Sequence, residues 1–598
     1  VRMQCSPYLK DSAYHPLIER LSRAAGFASA DPATERLRKL EHLLDEGDTE
    51  LSETIPVYAE LLSIALDDRY RALHLQPQAL RDLTLKTLVG RFESISRRGP
   101  AVFVLEDAHW IDPSTQELLD RLLPHTQTMP ALLMITHRPE WSSEWAAAYS
   151  NCTSISIGRI RRDQVRELIE AVTEETWNDT LIDEIIDRTD GGPLFVVELA
   201  RAIAEAGGSA VAGGEVIPAT LQGSLMARLD HLPSDLKSVA QTASIIGRDF
   251  DGDLLAKIVG IDRSSMRDAI SRLQQSQIIV RSAVSAEAFT FRHALIQDAA
   301  YQSLLTSRRR AYHDIIAETL VADYPDIAET QPELVARHFT EADRPNDALP
   351  LWKLAAQRAL ARSANSEAIR HSEHAFESAK KVSDATARSV ELLETELLRG
   401  HALMNSGELG PGMAAFLQAV ERARNLKDAA AFAEAVARFD EARFLANEHD
   451  DASIKLLEEA LAMAEHSDGR VRSQLMSRLA RCFLLIGDHE QARSYNDQAV
   501  ELVRQLDDPD ALFHVLVNDF LTPTEGRSRN ESDRRRVLVD EILVAADRLD
   551  EAEPRGRALS CRAYFFAEEA DRDGLNEAVS NLLHTAEERE MMHLQWIA

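Results

Sequence analysis

The sequence has little cysteine, no long apolar run and a deficit of positive charge. Its four cysteines, Cys5, Cys152, Cys482 and Cys561, form no CxxC pair and have no histidine at ligand spacing. That argues for thiols in a reducing compartment and against a disulfide framework or a zinc site. No stretch approaches the roughly 18 continuous apolar residues of a membrane span, and the opening VRMQCSPYLK lacks a charged-then-apolar signal region. The expected location is the cytoplasm, with no membrane partner. With 67 Lys and Arg against 98 Asp and Glu, the formal net charge is -31, which opposes non-specific attraction to nucleic acid or anionic lipid. No direct nucleic-acid partner is therefore expected. The first residue is Val, and the final MMHLQWIA stops inside an apolar helical pattern, so the expectation is a fragment cut at both ends.

What is present is ordinary globular composition, 45% apolar and 28% charged, which excludes wholesale disorder, collagen and membrane-embedded classes. At roughly 100 to 200 residues per domain, 598 residues predict three to five units. Residues 1–160 alternate short apolar runs with amphipathic segments, as strands and helices do in an α/β layered domain. The runs VRMQC, AVFVLED, ALLMIT and TSISI read as parallel strands. Leu80 to Ile95 reads as a helix, and Asp112-Pro113 marks the start of another at Ser114.

Helical spacing takes over in 161–215, which reads as a helical lid. It ends in a Gly-rich stretch, Gly207 to Gly214, expected to be a hinge or surface loop. In 216–328, helices precede two alternating segments, QIIVRSA and AFTFRHA, separated by VSAE. Helices followed by a β-hairpin predict a winged-helix-like domain. Residues 329–598 are Ala-rich, helical and self-similar. The clearest unit, MSRLARCFLLIGDHEQARSYNDQAVELV, places Leu479, Ala480, Phe483, Gly487, Ala492 and Ala499 at tetratricopeptide offsets, whose period is about 34 residues. Weaker copies surround Ala368, Gly400 and Leu457. An α-solenoid with a partner-binding face follows, a plain helical bundle being the alternative.

The sharpest chemical signal is VFVLEDAHWIDPST. Glu106 and Asp107 end an all-apolar strand, where two carboxylates are costly unless a cation or hydrogen-bond donors compensate. Magnesium with a nucleotide is one solution: a Walker B element in which Glu106 orients metal-bound water and Asp107 acts as general base. A strand ending in a solvated acidic turn is the other. Arg138 follows the next strand, at the edge where parallel sheets present ligand crevices, and could read a γ-phosphate or serve as a surface ion-pair partner.

The motifs CSPYLKDSAYHPLIERLSRAAGF, VFVLEDAHWIDPSTQELL, ITHRPEW, RTDGGPLFVVELARAI, IPATLQGSLMARLDHL and FTFRHALIQDAAYQSLL occur in that order. The chain resembles the ATPase-plus-tetratricopeptide region of large bacterial class III adenylate or guanylate cyclases, members of the signal-transduction (STAND) branch of P-loop ATPases. Specific motifs cover nearly all of residues 1 to 400, and the rest matches only as a repeat class. The resemblance implies a parallel-sheet P-loop NTPase core, helical and winged-helix units, then a repeat solenoid, with ATP/ADP and Mg2+ as cofactors.

Position by position, the resemblance puts Glu106 and Asp107 on the Walker B acids and metal site, and Arg138 on the arginine after the sensor strand. Gly191, Gly192 and Pro193 match the motif that contacts the adenine side of the nucleotide, although a turn and helix start would also explain them. His293 matches a winged-helix histidine near the ADP β-phosphate; a packed core histidine is its alternative. No GxxxxGK[ST] loop occurs in the sequence, and without its backbone N-H groups and lysine tight ATP binding has little physical basis. The resemblance places that loop, a first strand and a cyclase domain upstream of this chain. The first strand would lie between those carrying Arg138 and TSISI.

The expected function is an ATP/ADP-dependent conformational switch with a repeat arm that senses a protein partner or small ligand, regulating an attached effector, a cyclase in the resemblance. ATP hydrolysis is an expectation for the intact protein, and this chain cannot cyclise ATP. The alternatives are a nucleotide-independent scaffold and the switch region of a helix-turn-helix regulator. Homo-oligomer formation stays open.

Overall fold

A computed structural model describes residues 1–7, 9–28, 31–45, 51–70, 77–141, 145–205, 221–281, 288–448, 451–464, 469–522, 529–549 and 552–588. The chain divides into two units, one of Val1–Gly26 with Ser96–Leu351, the other of Phe27–Ile95 with Trp352–Ala598. The Gly207 to Gly214 stretch and VSAE lie outside the described residues.

The first unit opens with a small parallel sheet. Strands β1 (Arg2–Gln4), β2 (Ala101–Glu106) and β3 (Ala131–Ile135) lie in the order β1-β2-β3. β2 is central, and Phe103 and Leu105 point into the core, at 1% and 0% exposure. β3 is an edge in which Leu132 and Met134 are more than two-fifths exposed. The fourth expected strand, TSISI, is not one. Residues 153–157 are outside regular structure, and Ile155 and Ile157 are almost fully exposed. Its alternation is that of a strand, but alternation alone supplies no partner, and β-structure needs a neighbouring backbone to complete its hydrogen bonds.

The helix start read at Asp112-Pro113 is built as expected. Buried Asp112 accepts hydrogen bonds from Thr115 N and Thr115 Oγ1, capping helix Pro113–Leu122, and a third from Tyr14 N at 2.9 Å, just before helix His15–Ala25.

Further along the same unit, helices Arg162–Thr173, Asp179–Thr189 and Pro193–Glu205 enclose a separate apolar cluster around Val165, Trp177, Ile185 and Val196. They lead to helices Leu221–Asp230, Ser234–Ile246, Gly252–Val259 and Arg263–Gln275 and a second sheet of antiparallel strands. Its strands are β4 (Asp249–Asp251), β5 (Ile279–Arg281) and β6 (Ala288–Phe291), in the order β4-β6-β5. The expected pair is β5 and β6. β4 went unread because only Phe250 of its three residues is apolar.

The second unit is helical throughout its described residues. From Ala385 to Glu588 each helix packs on the next: Ala385–Asn405, Leu409–Leu426, Ala429–Leu445, Asp451–Met463, Gly469–Leu485, His489–Val503, Pro509–Leu521, Arg529–Leu549, Ala552–Glu568 and Arg572–Glu588. Small residues at the tetratricopeptide offsets set the close approach. Ala480, Ala492 and Ala499 are buried, Phe483 stacks on Tyr495 at 5.6 Å, and Gly487 turns the chain with φ 85°. At Gly400 a Cβ would lie 2.5 Å from the ring of fully buried Phe416, so only glycine lets that ring seat against the neighbouring helix. The fold is thus a small parallel sheet with helices followed by a long tetratricopeptide-like helical region.

Candidate functional site

The site is built at the carboxyl end of β2. Asp107 leaves the strand with φ 57° and ψ 41°, a left-handed conformation that is uncommon for a non-glycine residue and costs of order 1 kcal/mol or more. Its backbone N-H donates to Thr136 Oγ1 at 3.1 Å. Thr136 itself donates N-H to Leu105 O and accepts from Ala108 N. The end of β3 therefore fixes the turn after β2. The Asp107 carboxylate accepts from Gln4 Nε2 of β1 at 3.4 Å and from Arg248 Nη1 at 3.1 Å.

Glu106, the last residue of β2, pairs with the same neighbouring strand. Its Oε2 accepts from Arg2 Nε at 2.9 Å and Nη2 at 2.6 Å, an ion pair whose arginine side chain is 71% exposed and so adds little stability. Exposed Arg138 lies with its guanidinium carbon 5.5 Å from the Trp110 ring centre. His109 packs against Trp110, and both its ring nitrogens are buried without a hydrogen-bond partner. Burial, with Arg138 adding to it, holds the His109 imidazole below its ordinary pKa.

Gly191 and Gly192 form a tight turn. Gly191 has φ +67°, and a Cβ there would meet Ile160 O at 2.8 Å. Its carbonyl accepts from Ile160 N at 3.0 Å. Pro193 begins helix Pro193–Glu205. That helix carries Glu198, 1% exposed, paired through Oε2 with buried Arg228, whose Nη2 donates to Ser276 O at 2.6 Å.

His293 is half-buried and stands at the start of helix Ala294–Gln302, two residues after β6. Burial holds its imidazole below the ordinary value; Arg292, Arg201 and Arg248 push the same way and Glu198 opposes them. One turn on, burial raises the Asp298 carboxyl, and the charge of Arg138 opposes that rise.

The site residues thus stand in separate places. Glu106, Asp107 and Arg138 share the end of the parallel sheet, Gly191, Gly192 and Pro193 form the turn into helix Pro193–Glu205, and His293, at the start of helix Ala294–Gln302, feels the charge of Glu198. Arg248, just before β4, pairs with Asp107 and acts on His293. Sequence reasoning missed Arg248, Glu198, Arg228 and Thr136. Only Arg248 lies outside the quoted motifs; Thr136, Glu198 and Arg228 fall within ITHRPEW, RTDGGPLFVVELARAI and IPATLQGSLMARLDHL, but nothing in those motifs marks their partners, and the partners of Arg248 and Arg228 are 141 and 30 residues away.

Among the described residues no group of three or more His, Cys, Asp or Glu could hold a metal ion. The two adjacent carboxylates instead fit magnesium, which binds through one or two carboxylates and takes its other ligands from phosphate and water. Among the described residues no helix is long and apolar enough to cross a membrane.

No protein-family model matches the chain. An uncharacterized protein of Rhizobium meliloti (strain 1021) is 28% identical over 443 residues, 70% of this chain; the chain spans 42% of that protein's length. A STAND protein with a tetratricopeptide repeat sensor from Pyrococcus horikoshii is similar in structure at 12% identity and TM-score 0.33, over 100% of this chain and 95% of that one. Aspartyl phosphate phosphatase F from Bacillus subtilis is similar at 11% identity and TM-score 0.33, over 72% of this chain and 96% of that one. At these scores the likenesses fix no detail of the fold, which rests on the elements described above.

Proposed function

We propose that this chain is the switch and sensor region of a signal-transduction ATPase, in which nucleotide held between the parallel sheet and the winged-helix unit controls an attached effector. The observation that supports this reading best is the Glu106-Asp107 pair at the end of the central strand, with Asp107 held in a left-handed turn by β1, β3 and Arg248. Bound magnesium-ATP supplies a γ-phosphorus open to attack by water.

In this reading Asp107 takes the proton of the attacking water, and Glu106 and Asp107 are the acids that would hold a magnesium ion, which would supply charge for the phosphates. Arg138 offers a guanidinium to developing phosphate charge. The turn of Gly191, Gly192 and Pro193 would lie on the adenine side, and His293 would face the phosphates from the winged-helix unit. The tetratricopeptide-like helices take a protein or peptide partner, and the effector is a cyclase if the sequence resemblance extends to the whole protein.

Asp107→Asn in the nucleotide-binding, full-length protein is the test. ATP turnover is expected to fall by roughly 10²- to 10⁴-fold, the usual contribution of a general base, while nucleotide affinity stays within a few-fold. Turnover and signalling both unchanged would sink the reading.

A further inference from the structure

Arg248 has no part in the sequence motifs, yet it is the residue that joins the winged-helix strands to the acids of β2. Its Nη1 donates to Asp107 Oδ2 at 3.1 Å, while its Nε is buried and makes no hydrogen bond. Its side chain is 22% exposed, so the pair is only partly screened by solvent. Arg248 is also fixed at its backbone, where its carbonyl accepts from Phe291 N at 2.9 Å. Phe291 ends β6, two residues before His293.

A carboxylate bound to a guanidinium is a poorer ligand for a divalent cation, because the two positive charges compete for the same oxygens. We infer that Arg248 is a positioning residue that competes with a divalent cation for the Asp107 carboxylate, so that cation binding frees the guanidinium and loosens β4 and β6 from the parallel sheet. The inference deepens the magnesium-nucleotide reading and rests on it for biological meaning, but its physical content is a competition at one carboxylate. The freed guanidinium, with its Nε already unpartnered, is then available to an anion. Because Arg248 and His293 are tied to one strand, the winged helix registers the exchange through β6.

The test uses the full chain and manganous ion as the probe, a hard divalent cation whose binding is read by electron paramagnetic resonance without nucleotide or turnover. Arg248→Ala is expected to bind the ion roughly tenfold more tightly than the native chain, the scale of coupling between contacting charges. Arg248→Lys, which keeps the charge without the fork, should fall between them, and Asp107→Asn should weaken the ion's binding and erase the effect of Arg248→Ala. Amide hydrogen exchange provides the second readout. Saturating manganous ion should speed exchange in 249–251 and 288–293 of the native chain, whereas Arg248→Ala should already exchange at the faster rate without it.

Equal affinity in the native chain and Arg248→Ala overturns the inference, as does undetectable binding in both. A variant that fails to fold is recognised by far-ultraviolet circular dichroism, and the native chain's own exchange response then decides the matter. Failure of the ATPase reading shows separately, as absence of magnesium-ATP binding while manganous ion still distinguishes the variants.

Discussion

Arg228→Ala is expected to destabilise the first unit by about 3 kcal/mol, the cost of removing the hydrogen-bonded partner of a buried ion pair and leaving Glu198 only the more distant Arg201. Glu198 is 1% exposed and Arg228 9%, so water cannot replace the lost guanidinium. The remaining nearby charge, Arg201, lies 3.6 Å from Glu198 Oε1, too far for a direct hydrogen bond. The same change strips the Ser276 carbonyl of its donor. It therefore unties helix Pro193–Glu205 from helix Leu221–Asp230 and from the end of helix Arg263–Gln275. Thermal unfolding should move down by roughly 10 °C. Replacing both charges together, Glu198→Met with Arg228→Met, should recover most of the loss, since apolar substitutes for buried pairs are often neutral. An unchanged melting temperature in Arg228→Ala would show that the pair adds no net stability.

Acid should unfold the protein from a higher pH than its carboxylates alone require. His313 and His338 are 2% and 4% exposed and their Nδ1 atoms lie 2.8 Å apart, with Tyr301 Oη 3.2 Å from His313 Nε2. A hydrogen bond between two Nδ1 atoms needs one ring as donor and the other as acceptor, an arrangement that two neutral imidazoles satisfy. Burial lowers His313 to about 4, with Arg337 and Arg309 adding to the effect, and lowers His338 well below its ordinary value, helped by His313 and Arg337. In the second unit, burial likewise lowers His401 to about 4.

Each of these groups protonates more readily unfolded than folded. Their contribution is complete above about pH 6.5 and is lost as pH falls toward 4, at a cost on the order of 3 kcal/mol each for His313 and His401. Buried Glu396, whose pKa is raised by burial, acts in the opposite sense but titrates from a lower unfolded value. Urea unfolding followed between pH 7 and 4 should show stability falling steadily with pH. In the double variant His313→Leu and His338→Leu the fall should be shallower. An identical pH dependence in that variant would contradict this assignment.

Much of the architecture is legible in the sequence because its signals are local. Apolar runs give β1, β2 and β3, Asp112-Pro113 gives a capped helix, and the small residues around Leu479 and Ala492 give a tetratricopeptide-like pair. TSISI shows the limit of that logic. It has the right alternation, but a strand is a relation between two backbones, and residues 153–157 have none to join among the described elements. β4 shows the converse, a strand with one apolar residue that forms because β6 lies beside it.

The candidate site divides in the same way. Glu106 and Asp107 stand out as acids closing an apolar strand, whereas Arg248, Glu198 and Arg228 act through partners distant in sequence, and no spacing rule exposes them. Asp107's left-handed turn is also invisible to composition, since it depends on Thr136 at the end of a different strand.

The central claim is that these carboxylates serve a nucleotide, and magnesium-ATP calorimetry tests it most directly, comparing this chain with a version extended upstream through a phosphate loop and first strand. The account predicts binding by the extended protein and little or none by this chain, which contains no GxxxxGK[ST]. Binding by neither would contradict it, leaving Glu106 and Asp107 as structural partners of Arg2 and Arg248 in a nucleotide-independent scaffold.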